Sequence, residues 1–194
     1  MLNILKSEKR RKTHFWDHLN VLRASILGAN DGIISVSGIV LGAAGANLDP
    51  KTLFISGISG MLAGACSMAG GEWMSVSTQH DLQLKEMERQ QTAEECEDCP
   101  IKLQQNDLLM PFHAAATSFV SFILGSLIPL AAITLSPKPY RVLITAIAMG
   151  ISLLLNAIVS TWGTEVPMWK TILRNLLIGF LTIFITYVLG VVLS

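Results

Sequence analysis

Polar and apolar positions in this chain are segregated into blocks. Charge stops after Arg23 and resumes at Asp49, with only Asp31 between, and it stops again after Lys51 and resumes at Asp81, with only Glu72 between. Residues 108–137, 142–164 and 175–194 carry no Asp, Glu, Lys or Arg. Within the blocks the apolar runs are continuous rather than alternating, which predicts helices and argues against membrane strands. A hydrocarbon core about 30 Å thick takes roughly 20 residues as helix. Each block is long enough, so five transmembrane helices are predicted, over about 23–46, 53–80, 112–135, 141–162 and 171–193. The fold class is an all-α membrane protein, with Pro129 expected to kink the third helix.

Composition sharpens this picture. The 194 residues are 51% hydrophobic and 14% charged, against about 25% charged in soluble domains. Fourteen basic and fourteen acidic residues cancel, which argues against a nucleic-acid partner, and three cysteines are too few for a disulfide scaffold. The first apolar run begins too late for a cleavable signal. Residues 1–22 mix Lys and Arg with Phe15, Trp16, Leu19 and Leu22, and read as a basic amphipathic helix at the membrane surface. The organisation expected is therefore that surface helix over 1–22, helices one and two over 23–80, an acidic cytosolic loop and helical extension over 81–111, and helices three to five over 112–194. A cytosolic N-terminus places eleven Lys and Arg on that side and only Lys51, Lys138 and Arg141 on the other, as the distribution of basic residues in membrane proteins favours. Five spans then leave the C-terminus on the far side.

The candidate chemistry starts with the two interrupting acids. A carboxylate in a span costs several kcal/mol and usually faces a bundle interior or a water path. Counted inward from Arg23 and from Asp81, Asp31 and Glu72 come out at one depth, roughly 12–14 Å from the boundary, where they can share a cation or a proton. Gly60, Gly64, Met68 and Glu72 repeat every fourth residue and lie near one helix face. Mixed carboxylate and thioether ligands suit a first-row transition metal better than Ca²⁺ or Mg²⁺. Cys66, Met61 and Met74 fall off that stripe and are expected to pack. Gly28/Gly32 and Gly38/Gly42 are small-xxx-small pairs, suited to a helix–helix or dimer contact. Asn156 is expected to bridge helices.

Around the cytosolic mouth, Gln79, His80, Glu86, Glu88 and Glu165 are candidate entrance residues, and an acidic loop attracts cations. Helix two is expected to continue as a polar extension through about Gln91. Cys96-Glu-Asp-Cys99 is a lone CxxC. It is a candidate loop metal site, short of the four ligands a structural zinc needs, or the basis of a thiol-redox role. Neither a P-loop nor a nucleophile–base arrangement is present, so an enzyme is not expected.

At this point a family resemblance is carried by three runs. Gly28-Ala-Asn-Asp-Gly-Ile33 with Val40-Leu-Gly-Ala43 resembles the first helix of the vacuolar iron transporter family, including its bacterial-type and nodulin-like relatives. Ser67-Met-Ala-Gly-Gly-Glu-Trp-Met-Ser-Val-Ser-Thr-Gln79 is similar to the end of its second helix, and Arg174-Asn-Leu-Leu-Ile-Gly179 with Thr186-Tyr-Val-Leu-Gly190 to its fifth. The resemblance implies a homodimer with its pathway at the two-fold axis, and export of Fe²⁺, often Mn²⁺ too, from the cytosol in exchange for protons. The metal is then substrate and the proton the coupling ion, with no tightly bound cofactor. By position, Asp31 and Met68 match the family's intramembrane ligands, and Glu72 stands in the bacterial-type Gly-Glu-aromatic motif.

Two departures accompany the match. The plant vacuolar members carry an acid two turns before the Met, where this chain has Gly60. Many members also place a Glu- and Met-rich metal-binding domain between helices two and three, where this chain has only about 30 residues. The membrane implied is the cytoplasmic membrane in a bacterium and the vacuolar membrane in a eukaryote. The rival readings are a transporter or channel for another small solute, and a thiol-redox or scaffold protein using Cys96 and Cys99.

Overall fold

A computed structural model describes residues 15–92, 108–161 and 167–194. These form five long helices: α1 (Phe15–Gly45), α2 (Pro50–Thr92), α3 (Pro111–Leu135), α4 (Arg141–Thr161) and α5 (Met168–Val192), with a short 3₁₀ turn at Lys138–Tyr140. All five are long and apolar enough to cross a membrane. No strand occurs among the described residues. At 43 residues, α2 is about 65 Å long, twice the bilayer core. Its second half is the polar extension, ending at Thr92 where Gln91 was expected. α1 begins at Phe15 and runs past residue 22 without a break; the rest of the expected surface helix, residues 1–14, lies outside the described residues. α3 continues through the buried Pro129 to Leu135.

α1 is the centre of the bundle and packs against each of the other four helices. Its Ile33, Val36, Val40 and Leu41 meet Leu53, Phe122, Ile133, Met149 and Leu153 in the main core. α5 is peripheral. Leu177, Leu181, Phe184, Ile185 and Val188 lie exposed along it, as residues facing lipid do.

The connection between α1 and α2 is fixed by local chemistry. Asn47 takes φ 55°, its amide bonds Ala44 O, and Leu48 N–H bonds Ala43 O. This is a Schellman motif with Asn in the left-handed position. Two residues on, Asp49 caps α2 by accepting the amides of Lys51 and Thr52 at 2.9 and 3.2 Å, and Pro50 fills the first helical position, where no donor is needed. The Thr52 hydroxyl, with these amides, holds the Asp49 carboxyl below its usual range. A depressed carboxyl stabilises the fold above the unfolded pKa near 4, and that contribution is lost as pH falls through the folded value. Asp49→Ala is therefore expected to speed amide hydrogen exchange at Lys51 and Thr52 at pH 7, with the difference from wild type vanishing in acid.

The glycines of α1 set how closely its neighbours approach. A Cβ on Gly32 would stand 2.2 Å from Phe122 O, and one on Gly28 2.7 Å from Ser118 O, so α1 and α3 touch backbone to backbone. Further along, Gly42 meets Thr186 O, Gly45 meets Tyr187 O, and a Cβ on Gly190 would stand 2.0 Å from Gly42 O. Gly38 lies against the Thr182 and Thr186 side chains. The small-xxx-small pairs of α1 thus serve contacts within the chain. Gly32→Val is expected to unfold the protein or lower its stability by more than the about 1–3 kcal/mol of ordinary overpacking, since a backbone carbonyl cannot step aside; thermal unfolding in detergent checks this.

Two polar ties complete the bundle. Asn156 of α4 donates to Asn30 Oδ1 at 2.8 Å and to Ile26 O at 3.4 Å, the expected bridge between helices. Leu109 N–H donates to Gln83 of the α2 extension at 3.1 Å, and Trp73 meets Phe112 edge to face at 6.4 Å, so α2 holds the start of α3.

Candidate intramembrane metal site

Asp31 and Met68 come from the two helices of the first hairpin, α1 and α2. Asp31 is exposed, as are Leu19, Leu27 and, at positions that also reach α2, Arg23 and Ile39, all at four-residue spacing along α1. The Ser35 hydroxyl donates to its carboxylate at 2.8 Å. Met68 is partly buried and packs against the main core.

Glu72 is placed differently. It is 7% exposed and accepts a 2.8 Å charge-assisted bond from the Arg23 guanidinium. Arg23 also holds Asn20 Oδ1 at 3.1 Å. This corrects the shared depth expected for the two acids. The register of the α1–α2 hairpin sets Gly57 against Val40, Gly60 against Ile39 and Glu72 against Arg23. Asp31 is then level with the stretch around Ala65 to Met68, and Glu72 lies about 9–12 Å toward the N-terminal end of α1. Arg23 is not a boundary marker opposite Asp81 but the partner of Glu72, and the sequence count missed it.

The α2 stripe faces into the bundle. Gly60 accommodates the Ile39 side chain and Gly64 the Phe122 ring, with Met68 and Glu72 following on the same face. Cys66, expected to pack, is exposed, and so is Met74, while Met61 does pack against the core. Gly70 and Gly71 have nothing within 4 Å of an added Cβ. Gln79 is exposed, and His80 is half-buried with Nδ1 3.6 Å from Asp81. Glu86 and Glu88 lie exposed on the α2 extension. Glu165, Cys96 and Cys99 lie outside the described residues. Among the described residues, no three His, Cys, Asp or Glu side chains are placed to hold a metal ion together.

Five apolar spans, with one acid uncovered inside the first and another ion-paired inside the second, define a multi-pass helical membrane protein with polar chemistry in its transmembrane region. The profile of the VIT family matches residues 22–110 and 92–191, nearly the whole chain, and the protein belongs to that family. The chain is 36% identical over 170 residues to vacuolar iron transporter homolog 1 of Arabidopsis thaliana, covering 86% of this chain and 80% of that protein. It is 31% identical over 182 residues to VIT-like transporter 1b of Glycine max, covering 93% and 80%. Over 115 residues it is 41% identical to vacuolar iron transporter homolog 5 of Oryza sativa subsp. japonica, covering 58% and 51%.

Proposed function

We propose that this protein carries divalent iron, and manganese as well, out of the cytosol across its membrane, as a homodimer and in exchange for protons. The observation that carries the reading is the position of Asp31. A carboxylate exposed at mid-span of the central helix is too costly to leave against lipid, so it belongs against a water-filled path or a second copy of the chain. A two-fold axis along the α1 stripe brings two Asp31 carboxylates together, which supplies the ligands a single chain lacks. Met68, level with Asp31 on α2, supplies a thioether once it turns toward that carboxylate, a ligand that suits Fe²⁺ better than Ca²⁺ or Mg²⁺. The names of the relatives point to the same substrate.

Protons compete with the metal for the Asp31 pair, which couples the two flows without a nucleotide-driven step. The N-terminus lies in the cytosol in this scheme and the C-terminus on the far side. The α2 extension, with Glu86 and Glu88, stands at the cytosolic mouth and concentrates cations there. Glu72 guards the approach in its bond with Arg23. The membrane is that of a vacuole in a eukaryote and the cytoplasmic membrane in a bacterium.

The test is Fe²⁺ uptake by proteoliposomes with an imposed pH gradient. Uptake is expected to fall at least tenfold when the gradient is collapsed, and added Mn²⁺ is expected to compete. Uptake indifferent to both would favour a channel or a carrier of another solute.

A further inference from the structure

Where the end of α4 and the start of α5 meet the middle of α1, the three helices leave a cavity of about 230 Å³. Asn30 of α1, Thr161 of α4, and Thr171, Arg174 and Asn175 of α5 line it, and among the described residues no carboxylate does. Thr171, Arg174 and Asn175 fall on one face of α5 by their spacing. The cavity is below the roughly 300 Å³ at which organic ligand pockets begin, so it takes a small group.

Its polar inventory favours an anion. Asn30 uses its oxygen to accept from Asn156, which leaves its amide hydrogens for another acceptor. Asn175 is only 6% exposed and forms no hydrogen bond with a described residue. Arg174 forms no ion pair with a described residue and carries five N–H donors in a fixed fork. A guanidinium beside two side-chain amides repels a divalent cation and matches the oxygens of a phosphate. Position points the same way. One turn from Arg174, Lys170 lies 5.6 Å from the centre of the Trp169 ring, and Trp and Lys at the end of a span mark the headgroup level of a bilayer.

We propose that this cavity is a phosphate-binding site, separate from the metal path, filled by the phosphate of an anionic lipid headgroup or by free phosphate. It does not depend on what the protein transports. The experiment uses the full chain in phosphatidylcholine nanodiscs, with and without phosphatidylglycerol, and separately with inorganic phosphate, read by thermal unfolding and native mass spectrometry. One of the two ligands is expected to raise the midpoint of wild type by about 2–4 °C, and Arg174→Gln is expected to weaken that binding at least fivefold, with Asn175→Ala intermediate. A response to phosphatidylglycerol that inorganic phosphate does not displace identifies the lipid; a response to inorganic phosphate alone identifies the free ion. Should Arg174→Gln fail to fold, Arg174→Lys, which keeps charge but loses the fork, must still bind at least twofold more weakly. A wild type that responds to neither, or Arg174 variants that bind as well as wild type, overturns the proposal.

Discussion

Asp31→Asn is expected to lower Fe²⁺ uptake into proteoliposomes at least 100-fold while leaving the protein folded. The two halves of that outcome have separate causes. Asn keeps the shape of Asp and still accepts from the Ser35 hydroxyl, the one bond Asp31 makes among the described residues. No buried partner is orphaned, so stability should stay within about 0.5 kcal/mol, as for most exposed substitutions. Transport loses the charge itself. A neutral amide is a poor ligand for a divalent metal and cannot take up the proton that the proposed exchange requires. A hundredfold loss corresponds to about 2.7 kcal/mol of barrier, within what removing a carboxylate from a metal can do. Ser35→Ala, which leaves the carboxylate in place, is expected to cost no more than about tenfold. Uptake by Asp31→Asn at even a third of the wild-type rate would remove Asp31 from the site.

The second large effect separates the two members of the Arg23–Glu72 pair. Glu72 is buried, while Arg23 is about half exposed. Arg23→Gln therefore strands a buried carboxylate, whereas Glu72→Gln releases a guanidinium that can turn to water. Removing one member of a fully buried pair costs about 3–5 kcal/mol. With Arg23 half in solvent, Arg23→Gln should cost about 1–3 kcal/mol and Glu72→Gln under about 1 kcal/mol. The double variant should be no worse than Arg23→Gln alone, because the two losses are one interaction. Thermal unfolding in one detergent reads all three. Transport by the same proteins assigns Glu72. If it meets the metal on its way, Glu72→Gln slows uptake although it is the milder lesion. If it only holds α1 to α2, uptake follows stability and Arg23→Gln is the slower carrier. Equal destabilisation by the two single variants would contradict the burial difference on which this rests.

The helices were legible because their signal is the simplest a chain carries: long apolar runs between charges. The Gln91 estimate for the end of α2 came within a residue of Thr92, because a polar but Gly- and Pro-free stretch of Lys, Glu, Gln and Leu continues a helix already nucleated in the membrane. The bridge made by Asn156 was legible too, since an amide in an apolar helix needs a partner. The relation between helices was not. Helical periodicity says which residues share a face but not which neighbour the face meets or at what register. Taking Arg23 as a boundary marker placed Glu72 level with Asp31, when an antiparallel hairpin closed by a tight turn sets residues near its two open ends side by side. Counting outward from the turn at Asn47 and Asp49, rather than inward from the outermost charges, finds Arg23 opposite Glu72. The glycine pairs left helix packing and dimer contact equally open, and only the positions of Phe122 O and Thr186 O decided for packing. Cys66 was misplaced for the same reason, because apolar surroundings in a membrane sequence do not separate core from lipid.

The two kinds of contact made by α1 differ in stiffness. Against α3 and α5 it rests on peptide groups, which are stiff and have no alternative rotamers. Against α2 it rests on the ends of Ile39 and Val40, with the Phe122 ring and Leu130 of α3 alongside, and such side chains can re-seat. Small sliding motions between packed helices proceed by rotamer changes of this kind. Met68 and Glu72 thus stand on the helix held by side chains, and Asp31 and Arg23 on the one held by peptide groups, so repacking Ile39 or the Phe122 ring shifts the first two relative to the second.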